Sequence, residues 1–169
     1  TEIFVFTPKG ELRRLPVGAT VLDFAFDIHP SIGLHAVGGK INRNKMVPLD
    51  YKLQSGDQVE VIQSEKQVPQ PYWLDFVVTA KAQNKLKNQF KSEKGKRLKR
   101  GHAIVEINLR EQGYEPDERL YQKLMAHYGC ETKNDLYFYA VDKGFEIEEF
   151  KNALIKKRES KLIRYWKVQ

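Results

Sequence analysis

Two histidines, His29 and His35, stand six residues apart across a proline turn, and they are the side chains best suited to chemistry. A neutral imidazole offers one hydrogen-bond donor and one acceptor. Two histidines without further ligands do not make a metal site. For His29 two interpretations stay open. The ring caps carbonyl groups at a helix end, or it is exposed and stacks on an unpaired base or bonds the edge of that base or a ribose hydroxyl.

The sequence lacks the common catalytic motifs. It contains no G-x-x-x-x-G-K-[ST] or G-x-G-x-x-G phosphate loop, no H-E-x-x-H and no G-x-S-x-G. Cys130 is the only cysteine, which excludes an internal disulfide and favours a reducing, cytoplasmic setting, with Cys130 itself a small buried residue. We therefore predict no catalytic residue, no metal and no cofactor, and we expect that this chain is not an enzyme by itself.

The positive charge of the chain is concentrated in one stretch. Residues 1–64 hold seven basic and seven acidic residues, and residues 101–169 hold twelve of each, so residues 65–100 account for the whole net charge of +7. A run of basic residues is often only a solvated helix face. Residues 81–100, however, contain nine basic residues and only one acidic residue, and this imbalance favours contact with a polyanion. Such a contact is positional and carries no sequence code.

A predicted helix brings His29 to a defined place. Thr20 and Asp23 have capping-box spacing, and apolar residues follow at helical intervals. Pro30 stops this helix, because a residue before proline resists the α conformation, so His29 lies at the helix end. Gly33 then makes the turn, and a strand is expected over residues 35–41.

The elements around that helix indicate a small mixed sheet. Residues 2–7 and 11–15 form a predicted hairpin, and strands at 45–49 and 58–62 follow the strand at 35–41. Two strands, a helix and further strands are the order of a β-grasp (ubiquitin-like) sheet. We place this domain at residues 1–64.

The pattern changes after residue 64. Residues 65–71 contain two prolines and little hydrophobic pattern, and we interpret them as a linker. Residues 72–169 show helical spacing and are predicted to form an all-α domain of about five helices. Gly95 and Gly101 are expected to interrupt the basic helix, with a second helix at residues 102–112. The fold class is therefore α+β. The chain begins at Thr1 without a signal peptide, and we expect it to be a piece of a longer protein.

Several segments together resemble a known family. The segments F-V-F-T-P-K-G-E (4–11), L-P-V-G-A-T-V-L-D-F-A-F-D-I-H (15–29), V-G-G-K-I-N (37–42), V-P-L (47–49) and L-Q-S-G-D-Q-V-E-V-I (53–62) resemble a TGS domain. The segment W-L-D-F-V-V-T-A-K-A-Q-N-K-L-K (73–87) is similar to the start of the helical domain that follows it in long RelA/SpoT-family proteins. Those proteins are the guanosine tetra- and pentaphosphate synthetases and hydrolases of the stringent response.

The resemblance implies a regulatory role on the ribosome, with the catalytic domains lying N-terminal to the segment seen here. It implies that the chain senses deacylated tRNA through its 3′ CCA end and transmits this state to the catalytic domains. His29 matches the family histidine at the end of the TGS helix. The implied CCA-binding residues are His29, Pro30, Ser31, Gly33 and His35. The implied RNA backbone-binding residues are Lys81, Lys85, Lys87, Lys91, Lys94, Lys96, Arg97, Lys99 and Arg100.

The resemblance also implies other partners and shows one departure. Ribosomal RNA and the catalytic domains of the same chain are implied partners, whereas no membrane contact is expected. The alternative function is a protein-interaction module that binds acyl carrier protein or the catalytic domains. Many members have Gly-His-Arg where this chain has Gly33-Leu34-His35. By strand alternation, the side chain of His35 would point to the opposite face, so its role does not simply carry over.

Overall fold

The structure, a computed structural model, describes the backbone of residues 1–167 and their side chains except those of residues 157, 158, 164, 165 and 167. Residues 168 and 169, the end of the predicted helical domain, lie outside the described residues. By packing, the chain divides into two compact units, Thr1–Ser92 and Glu93–Gln169. The boundaries drawn from the sequence, 1–64, 65–71 and 72–169, stay a prediction about domains.

The first unit is built on five short strands, whose order confirms the β-grasp prediction. β1 (Glu2–Phe6) and β2 (Leu12–Pro16) form an antiparallel hairpin. β3 (Ala36–Ile41) pairs antiparallel with β4 (Lys45–Val47) on one side and β5 (Val59–Gln63) on the other. A parallel bridge from Phe6 to Gln58 sets β1 beside the start of β5. The structure thus contains a two-stranded sheet, β1-β2, and a three-stranded sheet, β4-β3-β5, which this bridge connects.

Two helices pack on this sheet. α1 (Val21–Ile28) is apolar and almost entirely buried, and α2 (Pro30–His35) follows it after one residue. Phe24 and Phe26 of α1 are at most 1% exposed and lie in one core with Val5, Ile41 and Val59 from the strands. Burial of large apolar side chains on one face of a sheet is the main stabilisation available to so small a unit.

The segment after the sheet completes the core of the first unit. A 3₁₀-helix (Pro71–Asp75) carries Trp73, which is 1% exposed, and Val77 follows it into the same core. α3 (Ala80–Glu111) then begins, and Ala82 and Leu86 in its first two turns are fully buried there. The first turns of the basic helix are therefore part of the same packed unit as the sheet.

α3 is one continuous helix of 32 residues, so the predicted interruption at Gly95 and Gly101 is wrong. Glycine weakens a helix only by about 1 kcal/mol and packing overrides that cost. Gly101 is buried, and a Cβ at this position would lie 2.1 Å from the carbonyl oxygen of Tyr137. The glycine thus permits close approach of two helix backbones. Gly95 has open space around it.

The second unit is all-α, as predicted. α4 (Glu118–Tyr128), α5 (Lys133–Asp142) and α6 (Ile147–Lys167) follow the end of α3. The predicted capping box of Thr132 and Asp135 is present at the start of α5. Among the side chains that the structure describes, ten are buried in the core of this unit, including Leu109, Leu124 and Phe150. Within the described residues, no helix is both long enough and apolar enough to cross a membrane.

Candidate nucleic-acid interface

The predicted capping box at the start of α1 is present. Thr20 Oγ1 accepts a hydrogen bond from the Asp23 backbone N–H at 3.3 Å, and Asp23 Oδ2 accepts one from the Thr20 N–H at 2.8 Å. The two residues satisfy backbone donors that a helix start otherwise leaves unpaired. Because the helix start is fixed and α1 is eight residues long, His29 has a fixed place at its other end.

His29 joins α1 to α2. Its backbone is extended, with φ −164° and ψ 141°, so it ends α1 and also precedes the first residue of α2. Pro30 does end α1, as predicted, but it also occupies the first position of the next helix, where its missing N–H costs nothing. The expected turn at Gly33 is wrong, because α2 continues through this residue to His35.

The imidazole of His29 is exposed, and one of its nitrogens is held by the backbone. Nδ1 accepts a hydrogen bond from the Ser31 N–H at 3.1 Å. A backbone N–H can only donate, so the neutral ring carries its proton on Nε2. The ring does not cap carbonyl groups of α1, which was one of the two interpretations. It caps the start of α2 and keeps Nε2 as a donor for another group.

His35 also bonds the backbone of Ser31, but through the carbonyl group rather than the N–H. Its Nδ1 lies 2.8 Å from the carbonyl oxygen of Ser31. A carbonyl only accepts, so Nδ1 of His35 donates, and in the neutral ring Nε2 is left as an acceptor. The expectation that His35 begins a strand is wrong, since it lies in the last turn of α2 and β3 starts at Ala36. Strand alternation therefore does not decide where its side chain points.

Gly33 is needed for packing, and its predicted place in the CCA-binding site stays a prediction. It is buried in α2, and a Cβ there would lie 2.4 Å from the ring of Phe26. The structure thus brings His29, Pro30, Ser31, Gly33 and His35 together in one short helix and its cap. In this set, the backbone of Ser31 holds both imidazole rings through their Nδ1 atoms, that of His29 by its N–H and that of His35 by its carbonyl oxygen.

The basic residues predicted to bind RNA are all on α3, and eight of the nine make no ion pair in the part of the chain that the structure describes. In the first unit, the ammonium group of Lys81 donates to the carbonyl oxygen of Asp27 at 3.1 Å. The other exposed basic side chains of this set in the first unit are Lys85, Lys87 and Lys91. Those in the second unit, apart from Arg97, are Lys94, Lys96, Lys99 and Arg100.

Arg97 differs from the rest of the set. Its Nη2 lies 2.8 and 2.6 Å from the two carboxylate oxygens of Asp142, and its guanidinium stacks over the Phe138 ring at 4.8 Å. Arg97 therefore links α3 to α5 inside the second unit. Because its charge is already matched by a carboxylate, it attracts a phosphate less than an unpaired lysine does.

Sequence reasoning missed one buried contact near the site. Asp23 is fully buried, and besides Thr20 it accepts hydrogen bonds from Val78 N–H and from both the N–H and the hydroxyl of Thr79. This ties α1 to the residues just before α3. The partners are more than fifty residues apart, so no local pattern signals them, although an acidic residue in an otherwise apolar helix is itself a sign of a buried partner.

The cysteine of the second unit has no sign of reactivity. Burial, and then the charge of Asp135, raise the pKa of the Cys130 thiol above its ordinary value. Reactive cysteines have a lowered pKa. Among the described residues, no cluster of three or more His, Cys, Asp and Glu side chains is arranged for a metal ion.

Comparisons with known proteins identify the class of the first unit. Residues 3–63 match the family model described as the TGS domain. Over 150 residues the chain is 38% identical to a GTP pyrophosphokinase of Myxococcus xanthus, an alignment that covers 88% of this chain and 18% of the relative. Over 136 residues it is 41% identical to a guanosine-3′,5′-bis(diphosphate) 3′-pyrophosphohydrolase of Aquifex aeolicus, covering 80% of this chain and 19% of that protein. A GTP pyrophosphokinase of Escherichia coli K12 is 37% identical over 116 residues, or 66% of this chain and 16% of the relative.

Residues 3–63 are therefore a TGS domain. With the helices that follow, the chain matches a segment of long RelA/SpoT-family proteins, and the family resemblance seen in the sequence is confirmed. The chain spans less than a fifth of the length of each of these three relatives. Two of the three relatives are named as GTP pyrophosphokinases and one as a guanosine-3′,5′-bis(diphosphate) 3′-pyrophosphohydrolase.

Proposed function

We propose that this chain is a regulatory segment of a guanosine tetra/pentaphosphate synthetase/hydrolase, that it recognises the 3′ CCA end of deacylated tRNA on the ribosome, and that it transmits this state to the catalytic domains of the same protein. In this proposal the segment catalyses nothing itself. The observation that carries it is the exposed imidazole of His29, whose Nδ1 is fixed by Ser31 and whose Nε2 remains a donor.

The chemistry of a tRNA end suits this pair of histidines. A terminal ribose offers hydroxyl groups that both donate and accept, and the unpaired bases of a single-stranded end offer flat faces and polar edges. Nε2 of His29 supplies a donor, and Nε2 of His35 supplies an acceptor. Aminoacylation replaces a terminal hydroxyl by an ester with a bulky group, so a site fitted to the free end rejects the charged one.

The exposed lysines of α3 supply a different contribution. Phosphate contacts give affinity and positioning without sequence information, and they depend steeply on salt. Residues 1–64 have no net charge, so His29 does not hold a polyanion by long-range attraction. In the proposed function, α3 attracts the RNA backbone of tRNA and ribosome, and the α1–α2 junction distinguishes the tRNA end.

A second candidate function is an interaction module for acyl carrier protein or for the catalytic domains. The outer face of the β1–β2 hairpin favours it, because Phe4 is 41% exposed and Leu12 51% exposed there. The guanidinium of Arg14 lies over the Phe4 ring at 5.7 Å. An exposed apolar surface with a cation suits an acidic protein partner.

Binding measured in parallel separates the two candidates. The 169-residue chain is titrated with deacylated tRNA and with acyl carrier protein over a range of salt concentrations. The proposed function predicts tRNA binding that weakens steeply with salt and that is insensitive to Phe4→Ser. Binding of acyl carrier protein alone, lost in Phe4→Ser, would instead favour the second candidate.

A further inference from the structure

Lys81 lies in the first turn of α3, and its side chain contacts the C-terminal end of α1. Its Nζ donates a hydrogen bond to the carbonyl oxygen of Asp27, which is two residues before His29. All three residues lie in the first compact unit. The carbonyl groups of the last turn of a helix lack helical partners and carry partial negative charge, so they hold an ammonium group well.

The fold fixes Lys81 in that place. Thr79 precedes α3, and its hydroxyl accepts a hydrogen bond from the Ala82 N–H at 3.2 Å. The same hydroxyl and the Thr79 N–H both donate to Asp23, each at 2.9 Å. Ala82 and Leu86 are fully buried in the core that contains α1. The first turn of α3 is therefore held against α1 on both sides of Lys81 in the sequence.

The charge of Lys81 is not matched by a carboxylate. The side chain of Asp27 lies 3.5 Å from Arg13, which leaves Lys81 only the neutral carbonyl oxygen of the same residue. No ion pair of Lys81 occurs among the described residues. An ammonium group has three protons, so after one hydrogen bond two protons remain for an anion. The backbone of α1 thus holds a cation two residues before the exposed His29, and the charge of this cation is available to an anion.

We propose that Lys81 contacts the phosphodiester group next to the nucleotide that His29 recognises, and so belongs to the site for the tRNA 3′ end rather than to the general backbone contacts of α3. The inference rests on the proposed function and makes it more specific. A lysine that only capped α1 would affect stability and not RNA binding. A lysine that only added positive charge would affect every RNA equally.

The test compares two RNAs and two matched lysines. Deacylated tRNA and the same tRNA without its last three nucleotides are titrated against the 169-residue chain. The variants are Lys81→Met, which keeps the apolar stem, and Lys85→Met, one helical turn further along α3. Lys85 is exposed and forms no ion pair in the described part of the chain. Lys81→Arg tests whether charge alone restores binding.

We expect Lys81→Met to weaken binding of intact tRNA about tenfold, as for one charge-assisted contact, and to leave the truncated tRNA unchanged within about twofold. Lys85→Met should weaken both RNAs by the same factor, and Lys81→Arg should restore most of the lost affinity. Equal weakening of both RNAs by Lys81→Met, or none, overturns the inference while a wild-type preference for intact tRNA stands. If the wild-type chain binds both RNAs equally, the proposed function fails, and the role of Lys81 at the end site fails with it.

Discussion

The Asp23 carboxylate and Thr79 are joined twice, through the backbone N–H and the hydroxyl of Thr79, at 2.9 Å each. The same carboxylate closes the capping box at the start of α1. One buried side chain therefore fixes both the helix that ends at His29 and the start of the helix that carries Lys81. The C-terminal end of α1 and the first turns of α3 are held in one arrangement by the core of the first unit.

This relationship predicts an unusually large effect of a capping-box substitution. Asp23→Ala removes a fully buried carboxylate that accepts from the part-buried N–H groups of Val78 and Thr79, and should lower the free energy of unfolding of the first unit by about 3 kcal/mol. The matched control is Asp135→Ala in the exposed capping box of α5, with an expected loss of about 1 kcal/mol. Urea unfolding followed through the buried Trp73 measures the first effect, and far-ultraviolet circular dichroism the second. Similar losses in both variants would show that the link to Thr79 contributes little.

Replacing either of two glycines in α3 by alanine should change the stability of the second unit, but in opposite directions. Gly95→Ala should stabilise the second unit by about 1 kcal/mol, because alanine is the better helix former and the space is open. Gly101→Ala should destabilise it by about 2 kcal/mol, since the added methyl meets the Tyr137 backbone. Thermal unfolding by circular dichroism compares them. A stabilising Gly101→Ala would contradict the close approach of α3 and α5.

Substitutions of Arg97 and Lys99 should have different effects, the first on the stability of the fold and the second on RNA binding. Arg97→Gln removes an exposed ion pair and a contact with the Phe138 ring, and should cost about 1 kcal/mol of stability. Lys99→Gln should leave stability within about 0.5 kcal/mol and lower the slope of log affinity against log salt by about 0.7–0.9. Unfolding and tRNA titrations on both variants provide the comparison. If Arg97→Gln weakened tRNA binding as much as Lys99→Gln, the ion pair with Asp142 would not limit the role of Arg97.

Cys130 should react slowly with an alkylating reagent in the folded chain. Its pKa is raised by burial, so at pH 8 it has less of the reactive thiolate than an ordinary cysteine. Iodoacetamide labelling followed by mass spectrometry should therefore be slower than for free cysteine, and its rate should rise as the pH increases above 8. Addition of urea should remove the difference. Labelling as fast as that of free cysteine in the native chain would mean that the thiol is exposed and unperturbed.

The sequence predicts those features of the fold that depend on residues near each other. Both capping boxes, the end of α1 at Pro30 and the order of strands and helix along the chain follow from spacing and turn chemistry. The errors at Gly33 and Gly101 share one cause. The local effect of glycine predicts a break at each position, whereas both glycines lie inside helices and make room for a neighbouring group. Packing between distant segments decides such positions.

In the candidate site, too, local sequence predicts some features, whereas others depend on contacts that only the folded chain makes. His29 at the helix end was predictable, because a helix start and a proline fix its position. The tautomers of His29 and His35 cannot be predicted from the sequence, because they depend on where α2 places the N–H and the carbonyl group of Ser31. The contacts of Asp23 with Thr79 and of Lys81 with Asp27 join residues more than fifty positions apart. Only the folded structure brings these residues together.

In the proposed function, His29 distinguishes the free 3′ end of deacylated tRNA from the aminoacylated end. The most direct measurement is the ratio of the dissociation constants for aminoacylated and deacylated tRNA, determined for the wild-type chain, His29→Ala and the control His102→Ala, an exposed histidine of the second unit. The wild type and the control should bind deacylated tRNA about tenfold more tightly or better. In His29→Ala the ratio should fall to about one, with the salt dependence of binding unchanged. A ratio of one for the wild type, or a wild-type ratio in His29→Ala, would contradict the account.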